Sequence, residues 1–297
     1  MGIEKQGVLQ SLQSYAENNK ESVERILDLP ALKVRAIPQN KTAIVVGGSE
    51  NWMAMLMMML GENLADAVIC GANSEELNPN MIMRTGLSVN SGEGGVLFIC
   101  SDDKQEKENF LYADSLLDEV DIRCKVAFSR HNPIGARTDE ESYLIGSEFF
   151  MVKIASAAAA SGKSLSEIYQ LARETRNYSN GICASLEDGK TLRNVVEQML
   201  FCLLSETRIR KGDIVCVCMS SFGNFPYAGL CAASGYLRQI LRNKGIQIHD
   251  IVLVPTADWA ERNGLGIALL WTNESLREYY DAPCRARFFQ KQIFTEQ

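Results

Sequence analysis

Histidine is nearly missing from this chain: only His131 and His249 occur among 297 residues. There is no Cys-x-x-Cys pair either, so a zinc site has few thiolates and imidazoles to draw on, and no metal site is expected. The patterns Gly-x-x-x-x-Gly-Lys-Ser/Thr and Gly-x-Gly-x-x-Gly are absent, which leaves no recognisable nucleotide site. The longest apolar run, Trp52–Leu60, falls well short of the roughly 20 residues a membrane-spanning helix needs. Met1–Asn18 lacks the apolar core and cleavage site of a signal peptide, so a cytoplasmic location without membrane contact is expected. Basic clustering is weak as well. With 30 Lys and Arg against 37 Asp and Glu, the net charge is -7, and Arg208-Ile-Arg210-Lys211 alone makes no nucleic-acid face.

What remains is the composition of a soluble globular protein, 46% apolar and 23% charged, long enough for one large α/β domain or two ordinary ones. Nine cysteines lie mostly inside apolar strand or helix patterns, where reduced thiols act as small hydrophobes.

Thr42-Ala-Ile-Val-Val-Gly-Gly-Ser-Glu-Asn51 reads as a buried strand and a small-residue turn, followed by a Met-rich helix over 53–60. Such turns emerge at the carboxyl ends of sheet strands, where backbone N–H groups and the helix dipole face a ligand. A binding site is expected at Gly47–Asn51. The pattern repeats: strand Asp66–Cys70 ends at Gly71-Ala-Asn-Ser, with Asn73 or Ser74 as a helix cap, and strand Val96–Cys100 ends at Ser101–Glu106. A helix over Lys107–Glu119 and a strand over Arg123–Ser129 follow. Ser91–Gly95 precedes a strand, so it is read as a backbone turn and not a phosphate loop.

Residues 5–29 read as one or two surface helices and 144–178 as helical, with Ser164 and Glu167 forming a capping box. Asn177–Gly189 is a polar internal boundary. Beyond it the pattern gives a helix over Thr191–Ser205, a strand over Asp213–Met219, a helix over Tyr227–Arg242, and strands over Ile246–Val254 and Gly264–Trp271. The alternation implies an α/β fold with a mostly parallel sheet and helices on both faces.

Several of these stretches, in this order, resemble the dihydroxyacetone kinase substrate-binding subunit family, DhaK (glycerone kinase, Dak-type). They are Val45-Val-Gly-Gly-Ser49 before a helix, Ser91-Gly-Glu-Gly-Gly-Val-Leu-Phe-Ile99, Asn109-Phe110, Ser221-Phe-Gly-Asn-Phe-Pro226 and Asp281-Ala-Pro283. The resemblance implies a two-domain α/β subunit, here 1–180 and a shortened 181–297, usually a homodimer. It also implies a small hydroxy-ketone or polyol ligand and a separate DhaL subunit that carries ATP, with no cofactor held by this chain. By the same resemblance the substrate contacts fall on Gly47, Gly48, Ser49, Asn51 and Ser101, and the acid on Glu106. The family turn is Gly-Gly-Gly-Ser-Gly-His-Glu-Pro. Here Glu50 replaces a glycine and Asn51 the histidine. The family's second site has Lys and Asp where this chain has Ser101 and Glu106. A further family histidine, which bonds covalently to the substrate carbonyl, sits in a Gly-x-His-Gly-Glu-Pro segment. This chain runs from Gly181–Gly189 straight into the Thr191 helix without it.

Glu106 reads either as the base accepting a hydroxyl proton or as a solvated helix-start carboxylate. Asn51 either hydrogen-bonds a ligand or caps the Trp52 helix. His131 in a turn is a remote stand-in for the missing nucleophile, and His249 reads as a strand residue. Three functions stay open. The first is a catalytically degenerate DhaK paralogue with a sensor or regulatory role; the second is an active kinase subunit for another ketose or polyol. The third is a non-catalytic binder of an apolar ligand, suggested by the Met-rich helix.

Overall fold

The computed structural model describes residues 5–48, 58–71, 77–129, 147–186, 190–255 and 263–292. It divides into two compact units. The first comprises Met1–Ser129, Met151–Glu174 and Glu278–Gln297, and the second Arg130–Phe150 and Thr175–Arg277.

The first unit is built on a six-stranded sheet, in the order β1-β2-β5-β3-β6-β7. Its parallel core is β5 (Ala67–Cys70), β3 (Ala43–Gly48), β6 (Val96–Cys100) and β7 (Cys124–Phe128). Every residue of β3, β5 and β6 is buried. Alternate residues Ala43, Val45, Ile69, Val96 and Phe98 share one cluster with helices α2 (Pro79–Val89) and α3 (Lys104–Asp118). Their neighbours Ile44, Val46, Val68, Leu97 and Ile99 are buried too, so both sheet faces are covered. Burial on both faces explains the unbroken apolar runs, since a parallel strand has no solvent side to mark with polar residues.

Residues 5–29 are not all helical. Helix α1 (Lys5–Asn18) is followed by β1 (Val23–Arg25), which pairs antiparallel with β2 (Ala31–Val34). Val23 and Ile26 are buried, whereas Leu27 is 78% exposed in the turn that Asp28 makes at φ 62. The apolar spacing fits a helix, but Pro30 and that left-handed residue favour a hairpin. The α2 cap is Asn78, whose side chain accepts from Met81 N–H, with Pro79 opening the helix. Residues 73 and 74 lie outside the described residues, as do 49–57 of the first turn and most of the Met-rich helix.

Helices α4 (Ser147–Ala160) and α5 (Leu165–Tyr178) follow. Before α5 the capping box forms, with Ser164 N–H donating to Glu167 at 2.9 Å and Glu167 N–H to Ser164 at 3.4 Å. Ser91–Gly95 is a packed turn, with Gly95 at φ 73 and a Gly94 Cβ position only 2.3 Å from the Lys41 carbonyl oxygen. A side chain at Gly94 would collide with backbone, so the glycine serves packing.

The second unit carries its own four-stranded sheet, in the order β10-β9-β11-β8. Strand β9 (Ile214–Phe222) pairs parallel with β10 (Gln247–Pro255) and antiparallel with β11 (Gly264–Trp271). The polar boundary segment proves to be strand β8 (Ser179–Ser185), which pairs with β11 along one edge. Helices α6 (Leu192–Ser205) and α7 (Tyr227–Asn243) pack on Val215, Val217, Met219, Ile267 and Leu269. Helix α8 (Glu274–Asp281) leads into a small sheet of β4 (Gly61–Glu62), β12 (Cys284–Ala286) and β13 (Gln290–Lys291). Among the described residues, no helix is long and apolar enough to cross a membrane.

Candidate functional site

At the carboxyl edge of the first sheet the register aligns β3 with β5, Gly48 opposite Cys70, and β3 with β6, Val46 opposite Ile99. Continued by two residues, the latter register sets Gly48 level with Ser101. Gly47 and Gly48 are buried strand residues, not part of a loop. The sequence reads them as the start of the turn; the chain leaves the sheet only after Gly48. A Cβ on Gly47 would lie 2.5 Å from Ile69 Cγ2 and 2.8 Å from Phe110 Cζ. Gly47 therefore lets Phe110 of α3 press onto the end of β3.

That contact positions the acid. Glu106 precedes Phe110 by one helical turn, on the same face of α3, and so comes down at the strand ends. It is 4% exposed, and Ser101 Oγ donates to its Oε2 at 2.7 Å. The same Ser101 oxygen accepts from Asp103 N–H at 3.3 Å. Asp103 caps the helix, accepting from the N–H groups of Gln105 and Glu106 at 3.0 and 3.1 Å. The solvated helix-start reading of Glu106 is thus overturned, because the packing of Phe110 and the Ser101 bond hold it inside. Of the expected ligand residues, Gly48, Ser101 and Glu106 gather on this edge. Ser49, Asn51 and His131 lie outside the described residues. A buried carboxylate oriented by a serine hydroxyl can accept a hydrogen bond from a ligand hydroxyl or take its proton.

Two nitrogen groups among the described residues, His249 and Lys153, lie away from this edge. His249 is exposed at the bulge of edge strand β10. Lys153 has a fully buried side chain whose ammonium donates to the carbonyls of Tyr279 at 3.2 Å and Ala282 at 2.7 Å. Burial lowers its pKa to about 8, but its protons cap the end of α8 and face no ligand. Gly162-Lys163-Ser164 ends like a phosphate loop, yet it follows a helix. Its groups are taken, since Glu167 accepts from Ser164 Oγ at 2.7 Å and pairs with Lys163 at 3.0 Å. Among the described residues, no group of three or more His, Cys, Asp or Glu side chains is arranged to hold a metal ion.

Two features escape the sequence reading. Asp103 carries a signal, an N-cap residue three positions before Glu106. The ion pair of Lys41 with Asp66, 2.6 Å long and almost fully buried, carries none, because each partner merely precedes a strand.

Residues 13–190, more than half the chain, match the Dak1 domain. The dihydroxyacetone-binding subunit DhaK of PTS-dependent dihydroxyacetone kinase 2 from Listeria innocua serovar 6a is 21% identical over 310 residues, covering 93% of this chain and 91% of that protein. Among solved structures, the dihydroxyacetone kinase operon co-activator Dha-DhaQ superposes with a TM-score of 0.84 at 14% identity, over 99% of this chain and 100% of its own. The dihydroxyacetone kinase of C. freundii gives 0.82 at 13% identity over 98% of this chain, which spans only 60% of that longer one. The chain belongs to the Dak1 domain family.

Proposed function

We propose that this chain is a DhaK paralogue that binds dihydroxyacetone or a similar small polyol reversibly at the Gly48, Ser101 and Glu106 edge, and that it acts as a sensor or regulatory subunit. The observation that carries this reading is the connection after β8. Six residues, 186–191, join it to α6, and the stretch 179–191 has no histidine with which to form a hemiaminal. Full-length likeness to a co-activator structure agrees with a regulatory role, and the half-buried Ser101 bonded to the buried Glu106 offers a polar hold for hydroxyl groups.

A second reading is an active kinase subunit that receives the phosphoryl group from an ATP-bearing DhaL-type partner, with Glu106 as base. The burial of Glu106 at a strand edge favours it. The two readings separate in a coupled assay containing ATP, a DhaL-type subunit and dihydroxyacetone or glyceraldehyde. The regulatory reading expects no turnover above the partner alone. Turnover that vanishes in Glu106→Gln would overturn it in favour of the enzyme.

A further inference from the structure

The polar side chains at the Gly48, Ser101 and Glu106 edge mainly accept hydrogen bonds. The hydroxyl proton of Ser101 is spent on Glu106, and its oxygen already accepts from Asp103 N–H. The Glu106 carboxylate, when ionised, has no proton to give. Such a set holds the hydroxyl groups of a ligand through their protons, whereas a ligand carbonyl, which can only accept, needs a donor beside them.

Lys107 supplies one. It follows Glu106 on α3 and is exposed. The two carboxylates at the helix start are engaged by other groups, Asp103 by the N–H groups of Gln105 and Glu106, and Glu106 by Ser101. Among the described residues no carboxylate pairs with Lys107, and its ammonium rests 5.1 Å from the centroid of the Phe128 ring. A ring face is a weak partner for an exposed ammonium, which leaves its protons for an acceptor that arrives with a ligand. Phe128 ends β7 and packs on the α3 side of the sheet. It stands opposite Cys100 in the parallel register, and Ser129 N–H donates to the Cys100 carbonyl at 2.7 Å. The ammonium is therefore held over the end of the strand beside the one that leads to Ser101, and neighbouring strands lie about 4.8 Å apart. Three carbons with an oxygen on each can bridge such a gap.

We propose that Lys107, positioned by Phe128, sets ligand preference at this edge by donating to the carbonyl oxygen of a hydroxy-ketone while Glu106 takes the protons of its hydroxyl groups. The inference rests on the ligand site proposed above and assigns the residue that tells a ketose from a polyol there. In a polyol the corresponding oxygen carries a proton and brings it toward a group that only donates. The charge-assisted hydrogen bond from the ammonium therefore favours the ketone.

Calorimetric titration of the intact chain with dihydroxyacetone and with glycerol tests the assignment. The parent should bind dihydroxyacetone about tenfold more tightly than glycerol, the usual effect of one hydrogen bond to a charged group. Lys107→Met changes an exposed residue and should fold normally, abolish that preference and leave glycerol affinity unchanged, whereas Lys107→Arg should keep it. Phe128→Leu retains the ammonium but removes the ring beneath it, and should lower the preference several-fold. An unchanged preference in Lys107→Met, or no preference in the parent, would overturn the role of Lys107. If Glu106→Gln weakens both ligands in the same titrations, the ligand site itself stands. Failure of both ligands to bind the parent, or full affinity in Glu106→Gln, would overturn the site and this assignment with it.

Discussion

Glu106 and Gly47 depend on each other through Phe110. The missing Cβ at residue 47 admits the ring, and the ring brings the helix down so that the carboxylate meets Ser101. A methyl group at residue 47 would have to displace Ile69 and Phe110, both fully buried. Gly47→Ala should therefore cost about 1–3 kcal/mol, the usual penalty of overpacking a dense core, read as a lower urea midpoint. The same variant should loosen α3 and weaken dihydroxyacetone binding. An unchanged midpoint would mean that the ring moves aside freely. Ser101→Ala removes the hydroxyl donor from a buried carboxylate and should lose roughly 1–2 kcal/mol of stability. If its stability equals that of the parent while ligand affinity is intact, the Ser101 hydroxyl has no part in holding Glu106.

Single residues were only partly legible in the sequence, for a physical reason. The resemblance marks Glu106 as an acid, but its burial follows from Phe110 packing on a strand distant in sequence. Lys41 and Asp66 each stand just before a strand of ordinary pattern. Only the alignment of β3 beside β5 brings them together, and no local period records that.

Elements were legible where burial is uniform. Strands β3, β5 and β6 are short apolar runs, and their length and small-residue ends, not their periodicity, mark them as strands. The β1–β2 hairpin was not, because Val8, Leu12, Val23 and Ile26 fit a helical spacing until Asp28 and Pro30 turn the chain. Helix α8 was missed as well, and it is tied down by Lys153. Burial lowers that ammonium from its ordinary 10.5 to about 8, with Lys291 acting in the same sense and Cys284 and Asp281 opposing. Below pH 8 both states carry the proton and the folded chain bears the full cost of burying it. Between pH 8 and 10.5 the folded state releases its proton first, so the unfolded state binds more protons and stability rises with pH, by up to roughly 3 kcal/mol. Urea midpoints of the parent should climb relative to those of Lys153→Met between pH 7.5 and 10. Parallel pH profiles would show that the ammonium is not desolvated.

For the whole molecule, the two units pose different problems to a sequence reader. The first follows a regular β-turn-α order from β3 to β7, and the parallel core of its sheet is apparent. The second mixes parallel and antiparallel strands, and β8 looks like a polar linker because an edge strand tolerates Ser179, Asn180 and Ser185. Family membership rests on residues 13–190, about three fifths of the chain. The fold superposes on both a kinase and a co-activator, at TM-scores of 0.82 and 0.84, so the fold alone assigns no role and the site chemistry must be tested. Mass spectrometry of the intact chain equilibrated with dihydroxyacetone, under native and then denaturing conditions, tests that chemistry most directly. Reversible binding without a histidine anchor predicts a complex under native conditions and the bare chain mass after denaturation. An adduct that survives denaturation, or no complex in either condition, would contradict it.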